Sequence, residues 1–136
     1  MTPSVGEQLP AFARVVTADD VAAYADAGGD RNPLHLDGAF ARSVGFDDVI
    51  AHGMFTMGHM AAAVSRWAGP DAVVERITAH FRAPVFMGEE VRAGGSVREV
   101  DGGTVTVDTW VAVDRHGATE WPIKKGQVVM RLAGGR

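Results

Sequence analysis

The sequence predicts one α+β domain over residues 1–136, in which an antiparallel sheet of about five strands wraps a single long helix. Three features point there. Between Gly53 and Trp67, Met54, Met57, Met60, Ala61 and Val64 recur at helical spacing. Between Thr104 and Val113 the odd-numbered positions are Val or Thr and alternate with Thr104, Thr106, Asp108 and Ala112, the period of a half-buried strand. No Pro/Ser-rich linker, repeat or low-complexity tract separates the Gly/Ala/Met-rich first half from the Val/Thr-rich second half, so both halves are read as one layered unit.

The elements follow in chain order. Phe12 to Val16 can form a first strand. Thr17, with Asp20 three residues on, reads as a helix N-cap with an acidic first turn. Val21 and Tyr24 would then face the core, and Gly28-Gly29 ends the helix by tolerating positive φ. Asp30 to Leu36 carries Pro33 in its middle and is expected to be an irregular loop. Asp37 can cap a second short helix that Gly45 ends. The long helix starts near Gly53 and stops at Ala68-Gly69-Pro70; its fifteen or so residues span roughly 22 Å. Arg76 to Phe81, the stretch around Val91, Ala93 and Val97, Thr104 to Val113, and Trp121 to Leu132 read as the remaining strands. Asp101-Gly102-Gly103 and His116-Gly117 are turns, and Gly126 marks a bulge or bend in the last strand.

Composition narrows the function classes. Hydrophobic residues make up 46% and charged residues 22%, an ordinary globular balance. The net charge of −4, with no basic stripe, gives a nucleic-acid partner no electrostatic support. The absence of cysteine excludes disulfides, thiolate metal sites and a cysteine nucleophile, and fits a reducing compartment. The N-terminal residues show neither a basic n-region nor an apolar h-region, and no apolar run approaches the ~20 residues that cross a bilayer. The expectation is a soluble, cytoplasmic protein with no membrane partner.

Two segments carry candidate chemistry. Gly29-Asp30-Arg31-Asn32-Pro33-Leu34-His35 packs an acid, an amide and an imidazole into a proline-containing loop. A loop that folds back could aim Asp30 and His35 at one point as an acid/base pair. The same residues are also ordinary turn chemistry, with Asp or Asn bonding the backbone. In Ala51-His52-Gly53-Met54 a glycine opens the longest helix. The first N–H groups of a helix lack internal partners and the dipole there favours negative charge. Glycine lets a ligand reach the main chain, which suits an oxyanion hole; equally, Gly53 could merely start the helix.

Together the two segments are more specific. Gly29-Asp30-Arg31-Asn32-Pro33-Leu34-His35-Leu36-Asp37 followed by Ala51-His52-Gly53-Met54 resembles the hydratase motif of MaoC-like proteins, the (R)-specific enoyl-CoA hydratases and (3R)-hydroxyacyl-ACP dehydratases. Gly6-Glu7-Gln8-Leu9-Pro10, Phe81-Arg82-Ala83-Pro84-Val85 and Gly88-Glu89-Glu90-Val91 extend the similarity over most of the chain. The resemblance implies a hot-dog fold. It implies Asp30 and His35 as the catalytic pair, Gly53 as the N–H donor to the thioester oxygen, and Asn32 as a loop-shaping residue that helps hold the water. His52 and Met54 flank Gly53 and join it and Asn32 as candidate substrate-binding residues. Some family members carry a serine in the long helix, where this chain has Ala61, that orients the aspartate; here another donor would have to do so. The resemblance further implies (3R) stereochemistry, an acyl-CoA or acyl-carrier-protein substrate, no metal or redox cofactor, and a homodimer, or a heterodimer with a related hot-dog subunit.

Two alternatives stand beside this reading: a hot-dog acyl thioesterase, and a non-catalytic acyl-binding partner subunit. The other polar residues point elsewhere. His52 and His59 could share a helix face but lack a third ligand for zinc. His80 and His116 read as structural or solvated. Ser65 has no nucleophile elbow. Lys124, Lys125 and Arg82 are candidates for phosphate contacts, and equally for a solvated surface. No P-loop or dinucleotide fingerprint is present.

Overall fold

A computed structural model describes residues 1–133. The elements are β1 (Phe12–Val15), α1 (Ala18–Gly28), α2 (Pro33–Leu36), α3 (Gly38–Ser43), α4 (Gly53–Ala68), β2 (Ala72–Phe81), β3 (Glu90–Asp101), β4 (Thr104–Arg115) and β5 (Ala118–Leu132). The five strands form one antiparallel sheet in the order β1-β3-β4-β5-β2. The sheet curls round α4, which packs against all five strands. This is the expected α+β architecture, a sheet wrapped round one long helix.

The N-terminal elements follow from their caps. Thr17 Oγ1 accepts from the Asp20 N–H at 3.1 Å while the Asp20 carboxylate accepts from the Thr17 N–H at 3.0 Å, a reciprocal box that satisfies two orphan donors of α1. These same bonds, the backbone one foremost, hold the Asp20 carboxyl below its ordinary range. Gly29 ends α1 in the left-handed region at φ 77°. Val21 is buried as expected, whereas Tyr24 is only half-buried and lies over His52.

The segment after Gly29 departs from the expected irregular loop. Pro33–Leu36 forms one helical turn, with Asn32 as its N-cap accepting from the Leu34 N–H at 3.0 Å. The proline takes the first helical position, where a missing N–H costs nothing and its fixed φ suits the helix. It starts a turn here where it was expected to prevent one. Asp37 caps α3, accepting from the N–H groups of Ala39 and Phe40.

Met60, Ala63 and Val64 of α4 enter a core completed by Val91, Ala93 and Val97 of β3, Val105, Val107, Val111 and Val113 of β4, and Ile123, Val128 and Met130 of β5. Burying a side chain such as Met60 is worth about 1.5–3 kcal/mol. The close approach of helix and sheet rests on Gly126. A Cβ there would stand 2.6 Å from Thr109 Oγ1 and 2.7 Å from Met60 Sδ. The expected irregularity at Gly126 is present: β5 carries an extra residue between Ile123 and Gly126 relative to both neighbouring strands. The edge strand β2 begins four residues before the expected Arg76, and β5 begins at Ala118, not Trp121. In both cases pairing with a neighbour extends the strand beyond its apolar stretch. No helix among the described residues is long and apolar enough to cross a membrane.

Candidate active site

Two loops meet at the N-terminus of α4. The first is the turn Asp30–Asn32. Asp30 Oδ1 accepts from the Asn32 N–H at 3.1 Å, so one carboxylate oxygen is spent on the turn. The other, Oδ2, stands 3.9 Å from His35 Nε2. The carboxylate is 57% exposed and the His35 side chain 10%. The turn chemistry and the chemical reading therefore coexist, because a carboxylate has two oxygens.

The second loop brings Ile50, whose backbone carbonyl lies 2.7 Å from His35 Nδ1. A carbonyl only accepts, so Nδ1 carries the hydrogen and Nε2 faces Asp30. The 3.9 Å gap exceeds a direct hydrogen bond, so a water that bonds both groups would sit to one side of the line between them. His35 and Gly53 line one cavity of about 300 Å³, together with Thr56, Phe81, Arg82 and Val85. The N-cap residue His52 makes no side-chain capping bond among the described residues, and the first turn of any helix leaves N–H groups free for a ligand oxygen.

The cavity wall is braced by an ion pair that the sequence pattern did not single out. Arg115 donates to both oxygens of Glu89 at 2.7 and 2.8 Å, and to the Pro84 carbonyl at 2.9 Å. Glu89 also accepts from the Phe86 N–H at 2.7 Å. The Glu89 hydrogen bonds raise the Arg115 pKa above its ordinary value, and the pair fixes the turn that carries Ala83, Pro84 and Val85.

The other candidate residues are placed as follows. Asn32 turns its side-chain oxygen to its own helix cap. His52 is buried and bonds the Asp30 carbonyl at 2.8 Å. Met54 is exposed and lines a different pocket of about 230 Å³, with Phe12, Arg14, Tyr24, Phe55 and His59. One helical step rotates a side chain by about 100°, which sends Met54 away from the face Gly53 presents. His59 bonds the Phe55 carbonyl at 2.9 Å, and burial foremost pushes its pKa down. Lys124, Lys125 and His80 share a third, outer concavity, apart from Arg82, which lies in the cavity of His35.

Asp30, His35 and His52 form a cluster whose ligand-type atoms lie within 4.8 Å of one another. It does not fit a shared metal ion. The two imidazoles are stacked, with centroids 3.8 Å apart and planes inclined by 25°. A metal bonds imidazole nitrogen in the ring plane at about 2.0–2.1 Å, and planes so nearly parallel do not meet within that reach.

Residues 2–117 match the family model of the MaoC like domain. The chain belongs to this family. Among MaoC-like relatives, the 3-hydroxybutyryl-CoA dehydratase of Methylorubrum extorquens is 35% identical over 132 residues, covering 89% of this chain and 84% of that one. The solved (R)-hydratase of Aeromonas caviae involved in PHA biosynthesis superposes with a TM-score of 0.84 at 30% identity, over 95% of this chain and 96% of that one. The ChsH1-ChsH2 complex of Mycobacterium tuberculosis shares the fold, with a TM-score of 0.85 at 22% identity over 96% and 99% of the two chains. The fold of this MaoC-like chain is thus the hot-dog fold of the (R)-hydratases.

Proposed function

We propose that this chain is a hydro-lyase that adds water to trans-2-enoyl thioesters with (R) specificity, and removes it from (3R)-hydroxyacyl thioesters. The observation that carries the reading is the Asp30–His35 pair facing each other across 3.9 Å, with His35 lining the cavity that Gly53 opens. The named activities of its relatives support the same chemistry.

The thioester carbonyl lies against the N-terminus of α4, where the Gly53 N–H and the helix dipole stabilise the developing enolate. Carbon 3 becomes electrophilic. A water held between Asp30 Oδ2 and His35 Nε2 attacks it, and its proton passes to Asp30. The enolate takes a proton at carbon 2 from His35 Nε2, with His35 in its doubly protonated form. Asp30 ends protonated and His35 neutral. Proton return from Asp30 to His35, relayed by the next water to enter the gap, resets the pair, so no proton is lost or gained. Dehydration runs the steps backwards. The thioester and the oxyanion donor supply the acidity at carbon 2, so the cycle as proposed uses no metal or redox cofactor. Coenzyme A or a phosphopantetheine arm presents the acyl group.

The working unit is a dimer, either of this chain or with a related hot-dog subunit. The edge strand β2 leaves Val73 and Phe81 half-exposed, and among the described residues it pairs with β5 alone, an edge that can pair with a second sheet.

The test is turnover of trans-2-enoyl-CoA, followed by loss of the enoyl absorbance, for Asp30→Asn and His35→Ala. Acid/base groups contribute about 10²–10⁴-fold, so each variant should lose that much kcat while melting near the wild type. Wild-type turnover in both folded variants would overturn the assignment. Thiol release without loss of the double bond would make the chain a thioesterase.

A further inference from the structure

We propose that His52 is the positioning residue of this site: its imidazole holds the backbone of Asp30 and the ring of His35 in one fixed relation. The proposal rests on the reading of Asp30 and His35 as the reacting pair.

His52 occupies the N-cap position of α4 but makes no capping bond. Its Nε2 instead reaches back twenty-two residues to the Asp30 carbonyl oxygen, at 2.8 Å. That oxygen only accepts, so Nε2 carries the hydrogen. The ring is 2% exposed. One side is stacked on His35 at 3.8 Å, and Tyr24 packs on it at 4.9 Å with a 53° tilt. His52 therefore touches both partners of the pair through different forces, a hydrogen bond to one and ring stacking to the other.

The Asp30 side chain has little else to hold it. It is more than half exposed, and its hydrogen bond to the Asn32 N–H lies within its own turn. The bond from His52 ties that turn to the start of α4, the element that carries Gly53. Donor, carboxylate and imidazole are thereby referred to one rigid helix.

Packing alone does not account for a histidine at this position. Its second nitrogen, Nδ1, is buried without a hydrogen-bond partner among the described residues. Burying an unsatisfied polar atom costs stability, and a phenylalanine would fill the same slot without that cost. The imidazole has one asset that an apolar ring lacks here, the N–H given to Asp30.

The experiment separates donor from ring. His52→Phe keeps a stacked ring and removes the N–H. His52→Gln places an amide N–H near the position of Nε2 and removes the ring. Misplacing a reacting group by about 1 Å costs on the order of 10²-fold, so His52→Phe should lose roughly 10- to 100-fold in kcat with KM changed less than about threefold. His52→Gln should recover most of that loss. Added to Asp30→Asn, His52→Phe should cost little more, because groups acting through one step are not additive. Both variants should melt near the wild type. Should His52→Phe fail to fold, His52→Leu against His52→Gln makes the same comparison. Wild-type kcat in a folded His52→Phe, or a His52→Gln as impaired as His52→Phe, overturns the positioning role. If Asp30→Asn and His35→Ala are themselves fully active, it is the reading of the pair that fails. If they are inactive and His52→Phe is not, the inference about His52 fails alone.

Discussion

Replacing Gly53 with valine tests the carbonyl site without removing a reacting group. A Cβ added at Gly53 would lie 3.3–3.4 Å from three atoms of the Phe81 ring. That is a tight contact, but Phe81 is 51% exposed and can rotate outward. Gly53 has no positive φ, so the backbone accepts a side chain. Glycine is about 1 kcal/mol worse than alanine inside a helix, and valine recovers part of that at this terminal position. The contact cost and the propensity gain are of similar size, so the melting temperature should move by no more than a few degrees. Activity should not survive as well. The added methyls occupy the mouth of the cavity lined by His35, Thr56 and Phe81 and hold a carbonyl off the helix N–H. Loss of one oxyanion donor costs about 10²–10³ in kcat. The assay is enoyl-CoA hydration at saturating substrate beside a thermal melt, with Gly53→Ala as the intermediate step. A well-folded Gly53→Val enzyme with near-normal turnover would refute the placing of the carbonyl at this helix end.

The remaining expectations concern stability and assembly. Gly126→Ala puts a Cβ 2.6–2.7 Å from Thr109 Oγ1 and Met60 Sδ in the closed core; overpacking of this kind costs about 1–3 kcal/mol, and a urea midpoint equal to the wild type would contradict the packing described. His59 has its pKa lowered below the ordinary 6.5, chiefly by burial, with Arg14 also lowering it and the Phe55 carbonyl and Asp20 opposing. The unfolded chain therefore takes up a proton below pH 6.5 that the native chain resists, and stability falls as pH drops through and below that value, with a limiting slope of ~1.4 kcal/mol per pH unit. His59→Phe should flatten the melting temperature between pH 6.5 and 5, and an unchanged pH slope would assign the loss to other groups. Light scattering at micromolar concentration should return twice the chain mass, and a monomer that stays monomeric when a related hot-dog subunit is added would remove the proposed dimer.

What the sequence by itself determined is mostly local. The Thr17–Asp20 cap, the helix over the Met and Ala repeat, the alternating valines of β4 and the bulge near Gly126 are written in spacing and turn chemistry, and each is found where it was read. The nearness of Asp30 to His35 was also legible, since only four residues separate them and a turn closes the gap. Pro33 was misread because its position relative to a cap, not its presence, decides whether a proline ends or begins a turn. The tertiary structure alone decided the rest. Ile50 orients His35 and His52 reaches Asp30 across twenty-two residues; Glu89, in the turn before β3, and Arg115, at the end of β4, brace the cavity wall. Such contacts are set by how the sheet curls, not by any local period. With Ala61 in the long helix another donor is expected to orient the Asp30 carboxylate, and the one it bonds is the Asn32 N–H of its own turn. The donor bonded to the Asp30 backbone comes from the start of α4, where only folding brings it within reach.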